Sequence, residues 1–342
     1  MQRSTLRIGL VGAGMIGRLR ARALEKIPGV RLVAVADQDE ARARGLAGDR
    51  DVRVVADGTT FSHDPDIDAV IVSVPPAGHE LVGISCLQAG KHVLCEKPLA
   101  ASVAACEALI QAAAAGGACL ATGFTLRHTP AARLARGLID KGGIGEVDHV
   151  RAYHGHPGGK DFGPGWIVDV SATGGGTLMD NGIHMIDLAR WFLGGDVKAM
   201  TGYATHHVWK LPGCEDNGFV LMRNEKCRVA LVHSSWSEWQ GYGYRVEVYG
   251  TRGAVRFGYS PLWLVHTQGE PGGVMKTKRH YFPKYQIIER LKGWEWSLVE
   301  TLVADLEDWI GAIRTGGTPS ASGKDGLEAV RIAQGMELLG EC

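Results

Sequence analysis

Residues 6–37 limit the fold of this chain more than any other stretch. Leu6–Val11 is an apolar run that ends in Gly12-x-Gly14-x-x-Gly17, and residues 19–24 continue with helical spacing. A second apolar run, Val30–Ala36, closes on Asp37. A strand, a glycine turn, a helix and a second strand ending in an acid predict the βαβ unit that holds a dinucleotide. Gly12 permits the tight turn, Gly14 leaves room for a pyrophosphate, and Gly17 lets helix and strand pack closely. The N–H groups of the helix start, at Ala13, Met15 and Ile16, face the phosphates. Asp37 is placed to accept from ribose hydroxyls, and Gln38 and Asp39 follow it with no adjacent arginine, which favours NAD over NADP.

At 342 residues the chain has the length of two domains. Lys plus Arg and Asp plus Glu each number 37, so no net charge draws the molecule to nucleic acid. The 48 glycines are about twice the usual share and point to many tight turns. Seven cysteines without a CxxC pair argue for reduced thiols and against a zinc site. No signal-like or membrane-spanning stretch is apparent, and a cytoplasmic location is expected.

Short apolar runs alternate with helical patterns through residue 123. The strands end at Asp37, at Pro75-Pro76 and at Glu96-Lys97-Pro98, the positions where a doubly wound parallel sheet binds its ligand. The expected architecture is α/β: an N-terminal Rossmann domain over 1–123 and a C-terminal α+β domain over 124–342, built on a large, mostly antiparallel open sheet. Helices are expected at 177–192, 294–314 and 322–339, the last two within the second domain. One sheet face should pack on helices. The aromatics Trp236, Trp239, Tyr242, Tyr244, Tyr249, Tyr259 and Trp263 are read as the other face, with core packing, subunit contact and sugar stacking all open.

Asp180 and His184 stand four apart in a helical pattern, behind the glycine run 174–176, so their side chains share a face. Histidine suits proton abstraction from a hydroxyl, with a carboxylate to orient it. Spacing alone leaves a surface pair, or a cap with a core histidine, equally open. Lys97 occupies the turn after a strand, braced by Glu96 and shaped by Pro98, where an ammonium can stabilise an alkoxide. His79 faces either the cofactor or the start of its own helix. Arg127 suits a substrate oxygen or a salt bridge, and Asp187 a supporting network.

These residues together resemble the Gfo/Idh/MocA family of oxidoreductases, which includes inositol dehydrogenases and glucose–fructose oxidoreductase. The resemblance rests on Gly12-Ala13-Gly14-Met15-Ile16-Gly17, on residues 90–99 with Glu96-Lys97-Pro98, and on residues 174–187, and it spans essentially the whole chain. It implies hydride transfer between NAD or NADP and a ring carbon of a sugar or cyclitol. It implies that Lys97, Asp180 and His184 are catalytic, and that Pro75, His79 and Glu96 line the cofactor with the glycine loop and Asp37. Arg127, Lys160, Asp161 and Trp166 are the substrate candidates. Thr125 departs from the Asn or Gln common in relatives. No metal is implied. A homodimer or homotetramer through the C-terminal sheet is expected. Two other readings stay open: a glycoside hydrolase with tightly bound, recycled NAD, and a non-catalytic NAD-binding regulator.

Overall fold

The computed structural model describes residues 5–158 and 165–339. The chain divides into two compact units, Met1–Thr125 with Trp294–Glu328, and Leu126–Gly293 with Ala329–Cys342.

In the first unit β1 (Leu6–Val11), α1 (Met15–Leu24), β2 (Val30–Ala36), α2 (Glu40–Ala47), β3 (Arg53–Val55), β4 (Ala69–Val72), α3 (His79–Gln88), β5 (His92–Glu96), α4 (Val103–Gly116) and β6 (Leu120–Gly123) alternate. The strands pair in parallel in the order β3-β2-β1-β4-β5-β6. The order reverses between β1 and β4, which creates the crevice where doubly wound sheets bind nucleotides. β4 is buried at every position, as its unbroken Ala-Val-Ile-Val run requires of a strand covered on both faces. Helix starts follow their caps: Asp39 accepts the Arg42 N–H and Ser102 the Ala105 N–H. Gly117 ends α4 in the left-handed region at φ 61°.

The second unit contains α5 (Pro130–Asp140), β7 (Val147–Gly155), α6 (Val170–Thr173), α7 (Ile183–Leu193), β8 (Val197–Thr205), β9 (Asn217–Asn224), β10 (Val229–Ser235), β11 (Gly243–Gly250), β12 (Gly253–Tyr259), β13 (Trp263–Gln268), β14 (Lys276–Tyr281) and α8 (Pro283–Lys292). Its strands form one sheet in the order β14-β13-β12-β11-β7-β10-β9-β8, antiparallel except where β7 and β10 run in parallel. α7 packs on β7 and β10. β14 and α8 have no counterpart in the sequence reading, because Lys-Thr-Lys-Arg-His-Tyr has no apolar alternation. Its Lys and Arg side chains sit on an edge strand, where charge discourages further pairing.

The helix expected over 294–314 forms as α9 (Trp294–Thr315), but it belongs to the first unit. Its Val299, Leu302, Leu306, Trp309 and Ile310 are buried in one cluster with Leu19, Ala21 and Leu24 of α1. Burial of such side chains contributes roughly 1.5–3 kcal/mol each for the larger ones. Amphipathic spacing reveals an apolar stripe but not the partner that covers it. The last expected helix also ends early: α10 (Gly323–Gln334) stops before Gly335, and β15 (Glu337–Leu338) joins β8 in parallel. Ser322 and Asp325 form the start of α10, with the Ser322 N–H donating to Asp325 at 2.9 Å.

The aromatics do not form one open face. Trp236 is fully buried and Tyr244 is 5% exposed, whereas Trp239 is 78% exposed. β11 alternates, so Tyr244 and Tyr249 fall on opposite sides. A row of exposed apolar side chains lies instead across β8, β9 and β10. Tyr203 pairs with Phe219, and Leu221 with Leu231, while the alternate residues Val220, Met222, Ala230 and Val232 face the core.

Candidate active site

The glycine loop has the geometry its sequence predicts. Gly12 has φ +98°, and a Cβ there would lie 2.5 Å from the Ser73 carbonyl oxygen. A Cβ on Gly17 would lie 1.9 Å from the Gly12 carbonyl oxygen, so only glycine lets the helix approach the turn. A Cβ on Gly14 would meet nothing within 4 Å. The room at Gly14 is therefore not claimed by the fold around it, and it lies at the N-terminus of α1, where Met15 and Ile16 begin the helix. The Asp37 carboxylate accepts the Ala13 N–H at 2.7 Å and the Asp39 N–H at 2.8 Å, which ties the acid to the loop and takes the Ala13 N–H expected to face a phosphate, leaving those of Met15 and Ile16 for that role. These residues fit a dinucleotide: an N–H-rich helix start, a position with no Cβ to fill it, and a carboxylate at the end of β2.

Lys97 follows β5 directly, and its bond to Pro98 is cis. The carboxylate expected to brace it has another partner. Glu96 pairs with Arg20 at 2.6 Å, and Arg20 is fully buried and also bound to Asp305 of α9. A buried guanidinium requires carboxylates around it, which explains why Glu96 turns inward.

His79 likewise is not turned to a cofactor. It is fully buried at the start of α3, with Nε2 2.8 Å from the Val74 carbonyl and Nδ1 3.1 Å from those of Pro98 and Leu99. Burial lowers its pKa, opposed by these carbonyls and by Glu96. Pro75 opens the short turn before α3, its carbonyl accepting the Gly78 N–H.

In the second unit the glycine run leads into a π-helical turn, Leu178–Gly182, and then into α7. Wide turns of this kind recur at functional sites. The turn is held by Glu215, which accepts the N–H groups of Gly176 and Leu178 at 2.8 Å each. Burial raises the Glu215 pKa against those bonds. A Cβ on Gly182 would lie 2.9 Å from that of Ser234, so β10 makes the close approach this glycine permits.

Asp180 accepts the Trp236 indole N–H at 3.2 Å and the Asn181 amide at 3.0 Å, and its Oδ2 lies 3.8 Å from His156 Nε2. His184 stands four residues on, in the first turn of α7, and is 9% exposed. Neither Trp236 as an anchor nor His156 as a neighbour is visible in local spacing, since β7 and the end of β10 bring them in from distant sequence. His154, nearly fully buried on β7, stacks edge-on against Tyr242 with ring centroids 5.0 Å apart.

Arg127 takes the salt-bridge alternative. Its guanidinium makes two bonds to Asp187, at 2.8 and 2.5 Å, with both side chains buried, and it lies 5.5 Å from the Trp191 ring centre. The pair fixes the turn after β6 against α7. Thr125 is buried just before it. Trp166 is 54% exposed in a short 3₁₀ turn. Lys160 and Asp161 lie outside the described residues.

The described cysteines are free thiols, and burial pushes Cys86 and Cys119 up to about 11. Among the described residues no helix is long and apolar enough to cross a membrane.

A family model described as an oxidoreductase family with an NAD-binding Rossmann fold matches residues 6–124, and one described as a GFO/IDH/MocA C-terminal domain matches residues 132–256. The chain is 31% identical over 335 residues to the inositol 2-dehydrogenase of Rhizobium meliloti (strain 1021), spanning 96% of this chain and 95% of that one. The chain belongs to the Gfo/Idh/MocA family of oxidoreductases. An uncharacterized oxidoreductase of Bacillus subtilis (strain 168), YrbE, is 29% identical over 96% of this chain and 92% of its own. An oxidoreductase domain protein from Kribbella flavida superposes with a TM-score of 0.83 at 26% identity, over 96% of this chain and 95% of that one. In this Gfo/Idh/MocA protein the NAD-binding match covers β1 through β6, and the C-terminal match covers β7 through most of β12.

Proposed function

We propose that this protein is an NAD-dependent dehydrogenase that oxidises a ring hydroxyl of a cyclitol or monosaccharide, with inositol the first candidate. The observation that carries the reading is Asp180, anchored by Trp236 and followed four residues later by His184, in a chain that also places Lys97 at the end of β5. The 31% identity to a protein named inositol 2-dehydrogenase supports the substrate class.

In this reading Gly12, Gly14, the start of α1 and Asp37 hold the dinucleotide. When bound, its nicotinamide accepts or returns a hydride. Lys97 donates a hydrogen bond to the oxygen on the reacting carbon and stabilises its alkoxide character. His184 takes the hydroxyl proton, for which an imidazole is suited near neutrality. Asp180 binds the substrate and orients the site, and Trp166 offers an indole face to the ring. Asp37 and Asp39 would oppose a 2′-phosphate, which makes NAD the cofactor over NADP. The open faces of β8–β10 pair two copies of the chain, because contiguous Tyr203, Phe219, Leu221 and Leu231 are more apolar than solvent favours.

The test is nicotinamide reduction, followed by absorbance, with NAD or NADP across inositols, monosaccharides and their glycosides. Lys97→Ala and His184→Ala should lose turnover by at least ~100-fold while binding NAD normally. Full turnover in either variant removes that residue from the chemistry, and faster reaction with NADP overturns the cofactor assignment.

A further inference from the structure

The turn that carries Lys97 lies outside regular structure, between the end of β5 at Glu96 and the start of α4 at Val103. Its two ends are secured by Arg20 on Glu96 and by the Ser102 cap. Between them Pro98 and Leu99 are buried, and among the described residues their carbonyls receive no backbone N–H. A buried carbonyl without a donor is destabilising. His79 Nδ1 lies 3.1 Å from both oxygens.

The other ring nitrogen faces only the carbonyl of half-buried Val74. Both contacts are hydrogen bonds in the imidazolium. A neutral ring has a single N–H for these two sides, and the Pro98 and Leu99 carbonyls are the more buried of the three acceptors. We propose that His79 is a positioning residue: its Nδ1–H ties the Pro98 and Leu99 carbonyls to the start of α3 and thereby sets the place of the Lys97 ammonium. His79 touches no substrate in this account and acts only through the turn. The proposal rests on the catalytic reading of Lys97, and it extends that reading to a residue otherwise assigned to the cofactor.

Two substitutions separate the ring nitrogens. In His79→Asn the amide nitrogen reaches the place of Nδ1 and keeps a donor for the turn, whereas in His79→Gln it reaches the place of Nε2 and keeps one only for Val74. Both remove a ring from a packed site, so both lower thermal stability. A displacement of about 1 Å at a reacting group costs up to ~100-fold in rate. His79→Gln is therefore expected to lower kcat by roughly 10–100-fold with KM for NAD little changed, and His79→Asn to recover most of that loss.

The rate of reductive methylation of Lys97, read by mass spectrometry against Lys91, reports the turn without any turnover. It should change in His79→Gln and return toward the wild-type rate in His79→Asn. Equal losses in the two variants, or unchanged kcat and Lys97 labelling in His79→Gln, overturn the proposal. If Lys97→Ala keeps its turnover, the catalytic reading of Lys97 fails, and labelling still decides whether His79 holds the turn.

Discussion

Arg20 on α1 and Glu96 at the end of β5 are joined by a 2.6 Å ion pair, with the guanidinium wholly removed from solvent. Asp305 on α9 binds the same guanidinium. One side chain thus connects the helix of the glycine loop, the strand that leads to Lys97 and a helix nearly 200 residues further on. A Cβ on Gly123 would lie 2.9 Å from both Arg20 and Glu96, so β6 is shaped around the pair.

Replacing Arg20 by Met leaves two carboxylates in a buried site without their counter-ion. Loss of one partner from a buried pair costs about 3–5 kcal/mol. Urea unfolding should show a fall of that size for Arg20→Met, and Arg20→Met combined with Asp305→Leu should recover part of it. A change under ~1 kcal/mol in the single variant would mean that the network adds nothing to stability.

Gly14 and Gly17 are expected to separate binding from folding. A Cβ at Gly17 collides with the Gly12 carbonyl, so Gly17→Ala should lose at least ~1–3 kcal/mol of stability. Gly14→Ala meets open space and should fold within ~1 kcal/mol of wild type, the scale of an exchanged helix cap. Its NAD affinity, measured by calorimetry, should fall at least ~10-fold because the methyl occupies the phosphate approach. Unchanged affinity would place the pyrophosphate elsewhere.

His92 accepts the Cys119 N–H at 3.0 Å through Nδ1, and burial lowers its pKa while Asp68 opposes the shift. The unfolded chain therefore binds the proton more readily than the folded one. The contribution of His92 is complete above its unfolded value of about 6.5 and is lost as pH falls below it toward the folded value. Because the ring is half-buried, the slope stays well under the ~1.4 kcal/mol per pH unit of a full proton. His92→Asn retains an acceptor and cannot titrate. Denaturant unfolding across mildly acidic pH should show a shallower decline in this variant, and parallel curves would refute the assignment.

Leu221 and Leu231 face each other across β9 and β10, 45% and 46% exposed in a single chain. Leu221→Glu with Leu231→Glu should convert the proposed dimer or tetramer to a monomer in sedimentation experiments, because charge would be forced into an apolar contact. The same mass for both proteins would move the subunit contact to another surface.

Local patterns carried much of the architecture. Gly12, Gly14 and Gly17 act through backbone geometry within a few residues, and the parallel strands of the first unit are short, mostly apolar runs, so both were legible without a fold. The Ser102 and Ser322 caps are likewise local features, each formed within three residues of the helix start. β14 was not legible, since Lys276–Tyr281 carries no apolar alternation.

The amino-acid sequence alone determined the nucleotide-binding βαβ unit, the alternating first domain and the family resemblance, because each rests on short-range spacing. Tertiary structure alone decided which charges meet. Arg127 found Asp187, Glu96 found Arg20, Asp180 found Trp236, and His79 turned from the cofactor to the Lys97 turn. A buried polar group takes whichever partner the packing brings within hydrogen-bond reach, and that partner lies tens to hundreds of residues away, where spacing carries no signal.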